Sequence, residues 1–326
     1  MADVVFHTVL FSTEPARETV RLAKLTEELG YDGLWVGDSH IIWRELYALM
    51  GAIASQTKRV SIGSGVTHPE VRHLTVTASG FATLCEMAPG RVRMGIGIGA
   101  SGPANVGLKP VSTGELERAI HSLRKLFKGE AVELDGKEMR LMFASNYEVP
   151  ISVAAAASSS VGMATRIADG LIGGGRKDEL AGWVERARKA VTQAGRDARS
   201  FQITSWTVCS ISKDGKAAIE AVKAHAARSG HTTFSRMIRQ GKTVNEEDRK
   251  AVERLDKEYD FRHHMGPEHS HLVPDRWVDL FAVAGTPDQV WAKIDQIKKS
   301  GVDVIAIVPY GDKEAIIRQV AGKMIG

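Results

Sequence analysis

Short apolar stretches alternate with longer segments along almost the whole chain. In the longer segments apolar residues recur at helical spacing, as Val20, Leu22, Leu25 and Leu29 do in the first one. The short stretches are apolar without interruption, which is typical of strands buried on both faces of a parallel sheet. They predict strands at residues 4–10, 33–37, 59–66, 91–99, 150–157, 169–175, 201–211 and 302–308.

This strand–helix alternation predicts a parallel sheet with helices outside it. Eight such units that close on themselves form a (β/α)8 TIM barrel, and 326 residues suit a single barrel domain, residues 1–326, with an insertion. An open doubly wound sheet is the alternative, but it would gather the glycine-rich stretches near one switch point. Because these stretches follow several different strands, the barrel is preferred.

One segment, residues 230–275, interrupts the alternation before the last strand. It is polar and rich in histidine, and we interpret it as an insertion that closes over the active site. Its histidines, among them His263, His264, His269 and His271, suggest a metal site, but the spacing lacks the helical H-x-x-x-H arrangement. A solvated or substrate-facing loop is therefore preferred and no metal is expected. A metal-dependent barrel hydrolase is the alternative from a different class.

Composition mainly excludes other classes of protein. The net charge of +4 is spread along helices, with no basic run interleaved with aromatic residues, so nucleic acid is not a predicted partner. No window reaches ~18 uninterrupted apolar residues, and no signal peptide precedes the first strand, so no membrane partner is expected. Cys85 and Cys209 fit a reducing compartment. We expect a cytoplasmic protein that acts on a small molecule.

The third predicted strand ends in an unusual way. Its apolar start is broken at Ser64 and Gly65, and the β-branched Val66 and Thr67 follow at once. A glycine at this place in a strand predicts a bulge or a close backbone approach. Because the C-terminal ends of barrel strands form the active site, these four residues mark a candidate binding surface.

Two further strand ends carry candidate chemistry. Asp38 and His40 follow the second strand and are suited to acid–base work, although Asp38 is equally suited to capping the next helix. The fourth strand runs into a glycine-rich loop of Gly97, Ile98, Gly99, Ala100 and Ser101. Its spacing does not match G-x-G-x-x-G, and a tight exit from the strand is the alternative interpretation.

The ends of the fifth and sixth strands predict an anion site. Backbone N–H groups of serine- or glycine-rich turns at a helix N-terminus bind phosphate. Both features fall on adjacent strand ends, which favours one phosphate between them over simple capping and tight turns. The residues are Ala156, Ala157, Ser158, Ser159 and Ser160, with Gly173, Gly174, Gly175 and Arg176.

Several stretches match a known family. In chain order they are ELGYDGLWVGDSH, TKRVSIGSGVTHPEVRH, ATLCEMAPGRVRMGIGIGASG, VPISVAAAASSS, IADGLIGGG and FAVAGTPDQVWAKIDQI. The sequence resembles the bacterial-luciferase-like flavin and deazaflavin oxidoreductases, and within them the coenzyme F-420 branch that includes methylenetetrahydromethanopterin reductase. The resemblance implies a barrel with an insertion, assembled as a homodimer.

The resemblance also implies where the cofactor lies. Its ring would lie over the bulge of the third strand, which in the F-420 branch holds a non-prolyl cis peptide bond. The matching bond is Ser64-Gly65 or Gly65-Val66, and we favour Gly65-Val66. The cofactor phosphate would lie at the predicted anion site.

Three departures from the family pattern concern the site. Relatives have Asp-His after the second strand, where this chain has Asp38-Ser39-His40. Relatives have Gly-Asp-Ser after the fourth strand, where Gly99-Ala100-Ser101 lacks the acid. Their Gly-Pro-Lys after the fifth strand is Ser158-Ser159-Ser160 here, so phosphate binding would weaken unless Arg176 supplies the charge.

We therefore expect an F-420-dependent oxidoreductase that transfers a hydride between the deazaflavin and an organic substrate. The candidate proton donor is Asp38, Ser39 or His40. One alternative is an FMN-dependent monooxygenase of the same superfamily. A flavin-binding protein without turnover is another.

Overall fold

The computed structural model describes residues 4–258 and 267–325. Its strands are β1 (Val5–Leu10), β2 (Gly33–Val36), β3 (Ser61–Ser64), β4 (Val92–Ile96), β5 (Val132–Leu134), β6 (Lys137–Met139), β7 (Ile151–Ala154), β8 (Gly170–Gly173), β9 (Gln202–Ile211), β10 (Val283–Gly285) and β11 (Val304–Pro309). Its helices are α1 (Ala16–Glu28), α2 (Leu46–Gln56), α3 (Leu74–Met87), α4 (Ser101–Ala104), α5 (Thr113–Phe127), α6 (Ser158–Ile167), α7 (Leu180–Gln193), α8 (Gly215–Arg239), α9 (Glu246–Glu258), α10 (Asp275–Phe281), α11 (Pro287–Lys299) and α12 (Lys313–Met324).

The predicted barrel is confirmed. Strands β1, β2, β3, β4, β7, β8, β9 and β11 pair in parallel in that order, and β11 pairs with β1 to close the ring. An open doubly wound sheet would leave two free edges, so that alternative is wrong. The hairpin β5–β6 stands outside the barrel as a separate antiparallel sheet. Strand β10, which pairs with Cys209–Ile211 of β9, was not predicted, because three residues are too few to show a pattern.

Local sequence explains how the outer helices begin and which face they bury. At α5 the Ser112 hydroxyl accepts a hydrogen bond from the Glu115 amide, and the Glu115 carboxylate accepts one from the Ser112 amide. This capping box satisfies two amides that the helix leaves unpaired. The helix then buries Leu116, Ile120 and Leu123 against the barrel core. Within the described residues no helix is both long enough and apolar enough to cross a bilayer.

The segment that interrupts the alternation is helical where the structure describes it. Helix α8 continues to Arg239, into the segment 230–275, and its Phe234 packs against Trp277 and Phe281 of α10. The Trp277 indole also donates a hydrogen bond to the buried Asp248 of α9. These contacts give the segment an apolar cluster of its own. Of the histidines that suggested a metal site, His263 and His264 lie outside the described residues.

The barrel interior is filled by one large side chain and its neighbours. Trp35 of β2 is fully buried, and its indole Nε1 donates a 3.0 Å hydrogen bond to Nδ1 of His7 on β1. Gly63 on β3 makes room for the indole, since a Cβ there would lie 2.6 Å from Cζ3 of Trp35. Above this layer Trp206 of β9 is tilted against Trp35, with ring centroids 6.2 Å apart. The two indoles form the floor of the barrel mouth.

Candidate functional site

The end of β3 has the predicted break. The Gly65-Val66 peptide bond is cis, as favoured from the sequence, and Ser64-Gly65 is not. Regular strand structure stops at Ser64, and a single parallel bridge resumes at Thr67, opposite Ile96 of β4. The Ser64 hydroxyl donates to the Gly95 carbonyl at 2.8 Å and accepts from the Gly95 amide at 3.1 Å. Ser64 therefore holds the break against β4.

Glycines shape the surface on both sides of this break. A Cβ on Gly65 would lie 2.8 Å from Cη2 of Trp206 and 2.9 Å from Cβ of Trp35. A Cβ on Gly97 would lie 3.3 Å from the half-buried Val66. Both glycines are buried, and a larger residue at either position would press on these neighbours, so the backbone packs closely around the break.

Asp38 is fixed in place by its neighbours. Its carboxylate accepts hydrogen bonds from the Thr67 hydroxyl at 2.7 Å and from both terminal nitrogens of Arg72, at 2.7 and 3.0 Å. The guanidinium also reaches Glu45 and lies 5.0 Å from the centre of the Tyr47 ring. Burial alone would lower the pKa of Arg72, but the hydrogen bonds and charge of Asp38 outweigh it and the pKa is raised. Asp38 thus joins the loops after β2 and β3.

The other two predicted donors lie in different surroundings. Ser39 is 1% exposed, and its hydroxyl has no hydrogen-bond partner among the described residues. His40 is exposed to solvent at the rim. The three neighbours on the sequence do not form one acid–base group.

The glycine-rich loop after β4 leaves the strand sharply. Gly99 has a φ of 85°, a conformation that side chains rarely adopt. Ile98 is 41% exposed, Ala100 is exposed, and Ser101 begins the short helix α4. A Cβ on Gly99 would lie 2.9 Å from Oε1 of Glu70, so that carboxylate lies directly against the loop.

The predicted anion site has a helix N-terminus with free hydroxyls nearby. Ala156, Ala157, Ser158 and Ser159 are exposed, and within the described residues no side chain caps α6. Ser160 is buried and its hydroxyl donates to the Ala157 carbonyl, so it is used within the helix. The capping alternative is therefore wrong for Ser158 and Ser159.

The turn after β8 follows the strand that pairs with β7, since the Ala155 amide, just beyond β7, donates to the Ile172 carbonyl of β8. Gly173 packs against Trp183 and Gly174 against the Trp206 carbonyl, while a Cβ on Gly175 would meet nothing within 4 Å. The structure thus brings the two parts of the predicted anion site onto neighbouring strand ends.

The charge expected from Arg176 is already paired. Its guanidinium donates two hydrogen bonds to Asp178, at 2.6 and 3.1 Å, and lies 3.4 Å from Glu179. The next residue, Lys177, was missed by the sequence analysis. Its ammonium group lies 3.3 Å from the Trp206 carbonyl and 3.4 Å from the Gly174 carbonyl, and burial lowers its pKa to about 8.

His68 and Glu70 were also missed, although they follow directly on the break at β3. His68 is 3% exposed, and the Glu70 side chain is 9% exposed. The spacing His68-Pro69-Glu70 immediately after a site-forming strand end was the signal available in the sequence. For metal, no group of three or more His, Cys, Asp or Glu side chains converges within residues 4–258 and 267–325.

Comparisons with known proteins show the family and the fold. The family model for luciferase-like monooxygenase matches residues 4–304. The chain is 27% identical to 5,10-methylenetetrahydromethanopterin reductase of Methanolobus tindarius, covering 96% of this chain and 97% of that protein. It is 35% identical to the F-420-dependent glucose-6-phosphate dehydrogenase of Beutenbergia cavernae, over 48% of this chain and 52% of that protein. The solved coenzyme F-420-dependent tetrahydromethanopterin reductase from Methanopyrus kandleri superposes with a TM-score of 0.83, at 23% identity over 99% of both chains.

Proposed function

The chain belongs to the luciferase-like monooxygenase family, and we propose that it is an oxidoreductase that uses coenzyme F-420 to move a hydride to or from an organic substrate. The observation that carries this proposal is the glycine-lined backbone at the Gly65-Val66 break, which lies at the mouth above Trp206. It occurs in a chain that resembles a tetrahydromethanopterin-type reductase over nearly its full length.

The residues of the mouth fit a flat ring. Gly65 and Gly97 leave backbone where side chains would project, and the indoles beneath them provide an apolar base. When bound, the deazaflavin supplies the hydride chemistry. The protein's part is to orient the ring, to exclude water and to provide a proton.

The residues after β7 and β8 fit the cofactor's phosphate. Helix α6 is ten residues long and begins at Ser158. Its first backbone amides are left unpaired by the helix, and its dipole gives this end a partial positive charge. Because Arg176 is paired with Asp178, we assign phosphate binding to backbone and hydroxyl groups, with Gly175 leaving space for approach.

Asp38 has a positioning role in this proposal. Arg72 and Thr67 occupy its oxygens and so tie the loop after β2 to the break after β3. This network holds both loops at the edge of the ring site. It also makes Asp38 a weaker candidate for the proton donor than the sequence suggested.

The insertion has the right place to cover the substrate. It leaves the barrel through α8, after β9, and returns through β10, which pairs with the C-terminal end of β9. His225 of α8 contacts the ring of Tyr310, which follows β11. Both connections lie on the C-terminal side of the barrel, where the mouth opens.

Helices α2 and α3 support a homodimer. Helix α2 carries no charged residue, and α3 carries only Glu86, whereas the neighbouring α1 is rich in charge. Their outward residues include Ala48 and Ala52, Val76 at 52% exposure and Met87 at 45%. A second copy of the chain would cover this apolar face. Light scattering should give twice the chain mass of 35.4 kDa, and a monomer at micromolar concentration would contradict the proposal.

A cytoplasmic location is also proposed. It is supported by Cys85 and Cys209, which are both free thiols. Burial raises their pKa values, to about 11 and about 12, so neither thiol is activated.

The test is a fluorescence titration with F-420 and FMN side by side. We expect saturable binding of F-420 and none of FMN by the wild-type protein. Gly65→Val should abolish binding, because the new side chain meets Trp206 and Trp35. Gly322→Val is the matched control, since a Cβ at Gly322 meets nothing within 4 Å.

Each other outcome decides against part of the proposal. Binding of FMN alone would favour the monooxygenase alternative, and binding of neither ring would overturn the cofactor assignment. Circular dichroism must show that the Gly65→Val protein is folded. If it is not, Gly65→Ala takes its place, and full binding by a folded variant would refute the ring position.

A further inference from the structure

Beside the break at β3 lies a pair of buried ionisable groups that the proposed function does not yet use. His68 and Glu70 lie on the loop between β3 and α3, one and three residues after Thr67. Nδ1 of His68 is 3.7 Å from Oε2 of Glu70, which is close but longer than a hydrogen bond.

Three of their four polar side-chain atoms are unsatisfied. Oε1 of Glu70 accepts a 2.9 Å hydrogen bond from the Val111 amide. Oε2 of Glu70 and both ring nitrogens of His68 are buried without a hydrogen-bond partner among the described residues. Buried polar groups are normally paired, and leaving one unpaired destabilises the fold. Three unpaired polar atoms lie together here, at the end of a barrel strand. Because they do not stabilise the fold, we infer that they serve a function.

Charged groups face the pair on both sides. Asp38, Arg72 and His40 lie beside His68, and Glu115 of α5 lies beside Glu70. Arg72 is already bound by Asp38 and Glu45. Gly102 of α4 lies so close to the imidazole that a Cβ there would collide with Nε2 of His68.

We propose that Glu70 and His68 form the proton-donating pair of this oxidoreductase, a neutral carboxylic acid beside a neutral imidazole. This inference rests on the proposed function. Burial raises the pKa of the Glu70 carboxyl and lowers the pKa of the His68 imidazole, so it opposes the charged form of each group.

Reduction of the organic substrate adds a hydride and a proton. The reduced deazaflavin, when bound, would supply the hydride with its two electrons, and the oxidised ring would release its remaining proton to water. Glu70 would supply the substrate's proton through His68 and, left as a carboxylate, would regain a proton from water. The pair thereby fills the donor role that the occupied oxygens of Asp38 and the exposed position of His40 leave open.

The first test needs no cofactor. Infrared spectroscopy of the ligand-free protein near neutral pH should show the carbonyl band of a buried, protonated carboxylic acid. The band should vanish in Glu70→Gln and persist in Glu133→Gln, the same change at an exposed glutamate of β5. A wild-type spectrum without this band, or a band that survives Glu70→Gln, would overturn the proposal.

The second test measures turnover with reduced F-420. Glu70→Gln should lower kcat by about 100-fold or more, the usual contribution of a general acid. F-420 affinity should be unchanged, and the loss of wild-type kcat at alkaline pH should disappear. Gly102→Ala, which displaces the imidazole, should lower kcat in the same direction.

The two proposals can fail separately. If the wild-type protein binds no F-420 but shows the infrared band, the cofactor assignment fails and the protonated pair stands as a structural feature. If it binds F-420 and Glu70→Gln turns over at the wild-type rate, the proton-donating role is wrong and the cofactor assignment stands.

Discussion

The barrel interior and the end of β3 each bury a histidine, and the two are held in opposite ways. His7 is 2% exposed and accepts a hydrogen bond from the Trp35 indole. His68 is 3% exposed, and neither ring nitrogen has a partner in the described part of the chain. Burial, with a smaller contribution from Arg93, lowers the pKa of His7 to about 3, so it stays neutral.

His7 and His68 are about equally buried, but they differ in hydrogen bonding, and this difference distinguishes a structural histidine from a candidate functional one. His7 is needed by the indole that fills the barrel, so its loss would leave a buried donor unpaired. His68 has no hydrogen-bond partner among the described residues, and the proposed proton-donating role gives its buried ring a use. Burial alone would not distinguish these two residues, but hydrogen-bond satisfaction does.

The largest expected effect comes from disrupting the interior. Gly63→Val places a side chain where the Trp35 ring lies, 2.6 Å from Cζ3, and displaces the donor to His7. Overpacking costs about 1–3 kcal/mol and the broken hydrogen bond about as much again, so we expect a loss of about 3 kcal/mol or more. Urea denaturation measures it, with Gly322→Val as the control. A loss below about 1 kcal/mol would show that the interior repacks freely.

The barrel and the break at β3 could be predicted from the sequence, but the difference in hydrogen bonding between His7 and His68 could not. The apolar runs predicted all eight barrel strands, and the Ser64-Gly65-Val66 pattern located the break and, through the family resemblance, its cis bond. Those features depend on residues adjacent in the chain. Hydrogen-bond satisfaction depends on tertiary neighbours.

Two arginines illustrate the limit. Arg72 meets Asp38 across 34 positions, and no local pattern indicates this pair. Arg176 was expected to bind phosphate, but Asp178, only two residues away, takes its charge once the chain turns. The fold decides which charged residues become ion-pair partners. A sequence motif shows only which residue types are present.

An intermediate effect is expected from acid. The pKa of His7 is near 3 in the folded protein and 6.5 in the unfolded chain. Below pH 6.5 the unfolded chain therefore binds a proton that the folded protein refuses. Stability present above 6.5 is lost as the pH falls toward 3, by at most about 1.4 kcal/mol per pH unit from this residue.

The measurement compares unfolding of the wild type and His7→Leu at pH 6.5 and pH 5.5. The variant should be less stable at pH 6.5, since Trp35 loses its acceptor, but its loss on acidification should be smaller. Equal losses in both proteins would mean that His7 takes up its proton without unfolding. That result would contradict the prediction that the lowered pKa of His7 makes the folded protein less stable in acid.

The smallest effect on stability is expected at His68. His68→Leu removes no hydrogen bond and replaces an unsatisfied ring by an apolar side chain, so the free energy of unfolding at neutral pH should change by less than about 1 kcal/mol. Turnover should nevertheless fall as it does in Glu70→Gln, because the proposed proton transfer from Glu70 passes through the imidazole. A cost as large as that of His7→Leu, with normal turnover, would make His68 a structural residue like His7. A small cost with lost turnover would mean that the fold tolerates an unsatisfied imidazole at this strand end because the reaction requires it.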